Sequence, residues 1–285
     1  MILRITSLCL AALFMAAPLQ ASFIQKAKEA LGLEKRVEAP AIRVLIASDL
    51  SDASVEVKGK YNVYDPYQRA KLATGFAPKS SQVHPLDSGI RWGELFPGVY
   101  QICLVPDLET TTTVVNGIEY RGKIYLYNIA GTISIVNEVL VEDYILSLLS
   151  ASISQPLPEE VLAALAITAR TDACYRALSA KNRYWHVDAK EVGYFGYGVT
   201  DFRNGIERAV HDTRYFVMSS FGRGMHAIKP FPVSWGEDPK AGLSIPRACS
   251  MAKKGADAPK IISAFFPESR IASLDHLPEK KNKRV

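Results

Sequence analysis

A chain of 285 residues with 48% hydrophobic content is long enough to build one large or two small domains around a real core. The formal charge of +5 does not make it a nucleic-acid binder, because Lys280, Lys281, Lys283 and Arg284, less Glu279, supply about three of those charges at the extreme C terminus. The mean hydropathy of +0.03 is raised in part by the first twenty residues.

Residues 1–21 read as a cleavable export signal: one early charge, Arg4, an apolar run from Leu8 to Ala17, then small residues with Ala21 as the expected cleavage position. The run is too short to span a bilayer. Cys9 follows Leu8, where a lipoprotein signal needs a small residue, so lipidation is not expected. The product is expected to be exported, to the periplasm or cell envelope, and about 264 residues remain after cleavage. Residues 22–40 form a helical lead-in or linker, with Phe23, Ala27, Ala30 and Leu31 on one side; the apolar face is small, which favours docking over membrane binding. A domain over 41–275 and a basic, disordered tail over 276–285 complete the expected organisation.

Strands dominate the front of that domain. Ile42–Ala47 is a run rich in β-branched residues, Ala53–Val57 and Tyr61–Tyr64 alternate, and Val99–Val105 and Thr111–Val115 continue the series. The Asn116-Gly117 pair that follows is the strongest short hairpin signal in the chain. Tyr120–Tyr127 and Thr132–Val136 flank a loop at Gly131. Two helices come next. Leu140, Tyr144, Ile145, Leu148 and Leu149 recur at helical spacing behind Glu142 and Asp143, and a second helix opens at Pro158-Glu159-Glu160 and runs to about Ser179. Strands followed by helices predict an α+β fold: a sheet-rich, largely antiparallel N-terminal half, a helix pair and a mixed C-terminal part with a helix at Ile206–Val210 and a strand at Tyr215–Met218.

On the second helix Leu162, Ala166, Ala169 and Ala173 form a small-residue stripe suited to close packing. Beside it run Ala163, Ile167, Arg170 and Cys174, in which Arg170 is the only charge. That guanidinium must reach water or find a polar or anionic partner, because burying it unpaired is prohibitive.

The stretches VNEVLVEDYILSLL and PLPEEVLAALAITART, with the connection between them, resemble without a gap the central motif of the SpoIID/LytB family (stage II sporulation protein D, amidase enhancer), which acts on bacterial peptidoglycan. The likeness extends upstream through GIEYRGKIYLYNIAGTISI and downstream through AGLSIPRACSMAKKGADAPKIISAFFPESRIASL, so it spans roughly Ile42 to Leu274. The resemblance implies a partner, peptidoglycan glycan strands, and possible assistance to a cell-wall amidase; it implies no nucleic acid, and no oligomeric state is legible.

The departures point to impaired catalysis. Family members that cleave glycan strands are thought to use a Glu of an SEMP motif as acid/base, and Ser152 stands at that position. The Lys of EALKAQA falls on Ala163 and its Gln on Leu165, while the Arg of ART persists as Arg170. The sequence-level site is therefore Ser152 as a disabled catalytic position, with Arg170 and Ala163 at substrate-binding positions. A hydroxyl cannot be tuned as a carboxyl can, and losing a positioned general acid removes about 10²- to 10⁴-fold in rate. Glu159 and Glu160 are the nearest substitutes in sequence, but a helix first turn disfavours their protonated form. The expected function is glycan-strand binding in support of wall remodelling; an active lytic transglycosylase is the alternative. A Ser152-centred hydrolase fares worst, since no Gly-x-Ser-x-Gly elbow surrounds it.

No cofactor is expected. Some family members are thought to hold zinc just after ART, where only Cys174 and His186 are available here, short of four ligands. Beyond Ser152 the pattern has two further marks. The Phe195–Gly198 loop reads as a packed turn before a sugar-stacking platform, and Trp235-Gly236 keep the start of a WGHGVG-like run without its His.

Overall fold

A computed structural model describes residues 40–200, 204–220 and 228–274. The expected signal, lead-in and tail lie outside the described residues, apart from Pro40. The described residues from Pro40 to Leu274 form one compact unit.

Two sheets build the front half. The strands in chain order are β1 (Ala41–Leu50), β2 (Ala53–Val57), β3 (Tyr61–Asp65), β4 (Ala70–Gly75), β5 (Lys79–Leu86), β6 (Gly89–Trp92), β7 (Glu94–Pro97), β8 (Gln101–Pro106), β9 (Thr113–Val115), β10 (Ile118–Tyr120), β11 (Lys123–Ile129) and β12 (Thr132–Leu140). The helix pair is α1 (Val141–Ser152) and α2 (Glu159–Ser179). After it come β13 (Val187–Asp188), α3 (Ala189–Val192), α4 (Ile206–Asp212), β14 (Phe216–Ser220), β15 (Trp235–Gly236), β16 (Leu243–Ser244), α5 (Ile245–Lys253), α6 (Ala258–Phe265) and β17 (Ser269–Ser273). The larger sheet has the order β13-β1-β12-β11-β8-β3-β4 and the smaller β10-β9-β2-β5-β6-β7. All pairings in both are antiparallel except β1 with β13. The fold is thus α+β, with a sheet-rich, largely antiparallel front, a helix pair and a mixed back.

Local chemistry accounts for the elements. The Asn116-Gly117 hairpin joins β9 to β10, with Val115 opposite Ile118 and positive φ at both turn residues, 48° and 86°. Strands β4 to β7 fall where the alternation is diluted by Lys, Ser, Gly and Pro, and they were not legible as strands. They are held by the core beneath them: Val83, Ile90 and Trp92 are fully buried, and the Trp92 indole N–H donates to the Val55 carbonyl at 3.1 Å. The inner faces of both sheets and the helices share one apolar core. The outer face of the larger sheet carries a smaller cluster of Leu45, Cys103, Tyr125, Tyr127 and Val136. At its rim the Glu138 carboxylate accepts from Arg43 Nε at 2.8 Å, Lys123 Nζ at 2.7 Å and the Tyr125 hydroxyl at 3.2 Å.

The α2 helix packs against α1, α4, α6 and β14. Its small-residue stripe is what allows this: Leu162, Ala166, Ala169 and Ala173 are all buried.

Candidate functional site

Ser152 is the last residue of α1 and is exposed. It lines a cleft of about 390 Å³ with Tyr144, Asp172, Arg176, Glu191, Trp235 and Glu237 among its other walls. The floor comes from α1 and α2. Asp172 and Arg176 stand four residues apart on one face of α2 and form an ion pair. Glu191, in α3, also acts on Arg176: burial pulls the guanidinium pKa down, but the Asp172 hydrogen bond and the surrounding negative charge outweigh it, and the net shift is upward. Tyr144 is 1% exposed, and burial, followed by the charge of Asp172, raises its phenol pKa, so the hydroxyl stays protonated at neutral pH. The far wall is Trp235-Gly236, held by a two-residue parallel pairing with Leu243–Ser244.

The structure corrects the expectation for Arg170. Its relative exposure is 0%, and it does not line the Ser152 cleft. Nε and Nη2 grip the Glu142 carboxylate in a bidentate pair at 2.9 and 2.8 Å, Nη1 donates to the Phe216 carbonyl at 3.0 Å, and Nη2 to the Val210 carbonyl at 3.1 Å. The Thr213 hydroxyl oxygen lies 3.4 Å from both terminal nitrogens and itself donates to the Ala209 carbonyl. An arginine buried in an apolar stripe needs this many acceptors. The residue therefore ties α2 to α1, α4 and β14 and is out of reach of a polymer. Ala163 is half-buried against the core and does not line the cleft either. Of the three residues singled out from sequence, Ser152 alone reaches it.

The nearby acids sort in the same way. Glu160 accepts the Ala258 backbone N–H at 2.7 Å, capping α6, and Glu159 pairs at 3.4 Å with Arg208. Neither lines the cleft. Asp143 pairs with Arg121 at 3.2 Å. A larger cleft of about 560 Å³ opens beside Glu142 and Asp143, but those two carboxylates are already committed to Arg170 and Arg121.

Sequence reasoning missed Asp172, Arg176, Glu191 and Glu237. The first two carried a signal: they extend a helical row two and six residues beyond Arg170 and so face away from it. Glu191 and Glu237 are exposed residues with no motif around them except that Glu237 follows Trp235-Gly236. In the Phe195–Gly198 segment Gly196 packs against Tyr120, its carbonyl accepting from Ser147 at 2.6 Å, and Tyr197 lies under the Arg121 guanidinium at 3.8 Å, whereas the Phe195 ring is 51% exposed, so the segment is packed only in part.

Cys103, Cys174 and Cys249 are all free thiols. Cys174 packs with Val217, Ile228 and Leu274, whereas His186 Nδ1 accepts the Arg43 backbone N–H at 3.2 Å on the sheet side. Among the described residues no three His, Cys, Asp or Glu side chains converge as a metal site would require.

The helix pair, the strand before it and the segment through β14 match the family described as SpoIID, stage II sporulation protein, over residues 130–219. The chain belongs to the SpoIID family. An uncharacterised protein of Chlamydia pneumoniae is 39% identical to this SpoIID chain over 184 residues, covering 64% of this chain and 66% of the relative. One from Chlamydia muridarum is 31% identical over 238 residues, covering 83% and 78%. One from Brachyspira hyodysenteriae is 29% identical over 175 residues, covering 61% and 47%. The chain thus spans about two thirds of the first of these relatives and under half of the third. No solved structure matches it. Membership of the SpoIID family connects the chain to a cell-wall-related function.

Proposed function

We propose that this protein is exported to the cell envelope and binds peptidoglycan glycan strands in the Ser152 cleft, supporting wall remodelling or the action of a cell-wall amidase, with impaired catalysis. The observation that carries the reading is the composition of that cleft. A half-buried indole can lie on the C–H face of a pyranose, while Ser152, Arg176 and the carboxylates of Glu191 and Glu237 can bond its hydroxyls. The family's glycan acid is replaced by a hydroxyl at the mouth of the cleft. A glycosidic proton donor works in an apolar, water-excluded setting, and the two glutamates here are both solvent-exposed.

The test is co-sedimentation of the purified protein with denuded glycan strands, followed by analysis of the soluble products. Binding without release of anhydro-ended fragments is expected, and Trp235→Ala should weaken it about tenfold. Equal binding by wild type and Trp235→Ala would refute the cleft assignment. A second reading, an active lytic transglycosylase, draws on Glu191 and Glu237 sharing the cleft with Ser152. It requires anhydro-ended products that Glu191→Gln or Glu237→Gln abolishes. Export is tested by sequencing the mature N terminus, expected at Ser22.

A further inference from the structure

We infer that the end of the larger sheet carries a second saccharide-binding site, built from tyrosines and separate from the Ser152 cleft. Four tyrosines from four separate segments, Tyr67, Tyr100, Tyr127 and Tyr184, line one cleft of about 310 Å³. Tyr67 is 82% exposed and Tyr100 48% exposed, so both rings are open to a ligand lying in the cleft.

Both exposed rings are presented on fixed backbone. The turn after β3 is pinned by Asp65, itself 3% exposed, whose Oδ1 accepts the backbone N–H groups of Tyr67 at 2.8 Å and Gln68 at 3.2 Å. The Tyr100 hydroxyl donates to the Asp87 carbonyl at 2.8 Å. Behind them Tyr127 and Tyr184 meet edge to face at 5.0 Å, and the Arg183 guanidinium lies over Tyr184 at 4.6 Å. A turn backbone at Tyr67 and a ring at Tyr100 that are already held in place lose little freedom when a ligand settles on them.

The polar groups of the cleft divide into two kinds. Asp65 and Asn128 are consumed in holding turns, the latter donating to the Leu86 and Gly89 carbonyls. The side-chain amides of Gln68 and Gln101 make no hydrogen bond to the described residues. Free planar amides beside exposed rings match a pyranose, whose C–H face lies on an aromatic ring while its edge hydroxyls both donate and accept. An extended peptide finds less here. The cleft sits at the ends of β3, β8 and β11, which are interior strands, so no free ladder of backbone groups is offered for strand addition.

The experiment is calorimetric titration of the whole protein with the N-acetylglucosamine tetramer, comparing wild type, Trp235→Ala, the Tyr67→Ala/Tyr100→Ala pair, those three changes together, and Tyr67→Phe. Trp235→Ala should leave binding that the additional tyrosine-to-alanine changes lower at least about fivefold, and Tyr67→Phe, which keeps the ring and leaves the Tyr100–Asp87 bond intact, should bind as wild type. Because both tyrosines are exposed, these variants keep the fold, which circular dichroism checks. If the alanine pair binds as wild type while Trp235→Ala abolishes binding, this second site falls and the Ser152 cleft stands. If the alanine pair loses binding and Trp235→Ala does not, the reverse holds. Absence of saccharide binding in every variant, or tyrosine-dependent capture of a proline-rich peptide in its place, overturns the inference.

Discussion

Replacing Arg170 with Met is expected to unfold the helix layer before it changes any surface. The substitution keeps most of the volume but leaves the Glu142 carboxylate, 17% exposed, without its bidentate partner, and leaves the carbonyls of Val210 and Phe216 without a donor. Breaking a buried pair from one side costs about 3–5 kcal/mol, and the bared carbonyls place the loss toward the upper end. For a domain of this size that lowers the melting temperature by roughly 6–20 °C. Arg170→Lys should recover less than half of it, because a single ammonium cannot span the four acceptors. Removing both charges in Arg170→Met/Glu142→Met should restore at least about 2 kcal/mol over the single variant, since no uncompensated charge remains inside. Differential scanning calorimetry reads all three, with glycan co-sedimentation run at a temperature where each is folded. A single variant that melts within about 2 °C of wild type yet loses glycan binding would refute the reasoning, because the guanidinium would then be reading the ligand.

The remaining predictions concern other parts of the fold. Burial alone would raise the pKa of Glu138, but hydrogen bonds and charge from Lys123 and Arg43 outweigh it and the net shift is downward. Its contribution is therefore present above the ordinary carboxylate range and lost as pH falls through the lowered folded value, so Glu138→Gln should flatten the acid limb of a denaturant-midpoint series below about pH 4.5. Among Cys103, Cys174 and Cys249, a native thiol assay should modify Cys249 first. Burial pushes the first two up to about 12, and both react only on unfolding. Gly117 sits at φ 86° in the β9–β10 turn, so Gly117→Val should cost about 1–2 kcal/mol in urea unfolding, with Gly117→Asn milder. Ser152→Glu should fold as wild type; product analysis on denuded glycan then shows whether a carboxyl at that spot restores cleavage.

The frame was legible where pattern and packing agree. The α2 helix ran as expected from Glu159 to Ser179, and β2 fell on its alternating run, because an apolar face of fixed period has one way to be buried. The first helix starts at Val141 because the residues before it, Val136 to Leu140, complete β12 against β1. The site was less legible. Arg170 stood out as a lone charge in an apolar stripe, and that pattern fits a ligand contact and a buried tie equally well until its acceptors are located. Those acceptors are 28 to 46 positions away, and no periodicity reports on them. Asp172 and Arg176 went unread for the opposite reason, since their one signal, a charged pair four apart on a helix, ordinarily marks a solvated face.

The opening around Ser152 has two origins along the chain. Tyr144, Ser152, Asp172, Arg176 and Glu191 lie inside the family match over residues 130–219, whereas Trp235 and Glu237 come from a separate segment after it. The latter hang from a two-residue bridge, and the guanidinium that clamps the helices does not line the opening. The wall and the clamp are consequently separable: exchanging the segment around Trp235 reshapes the far side of the opening, and the helices underneath need not be redesigned to follow.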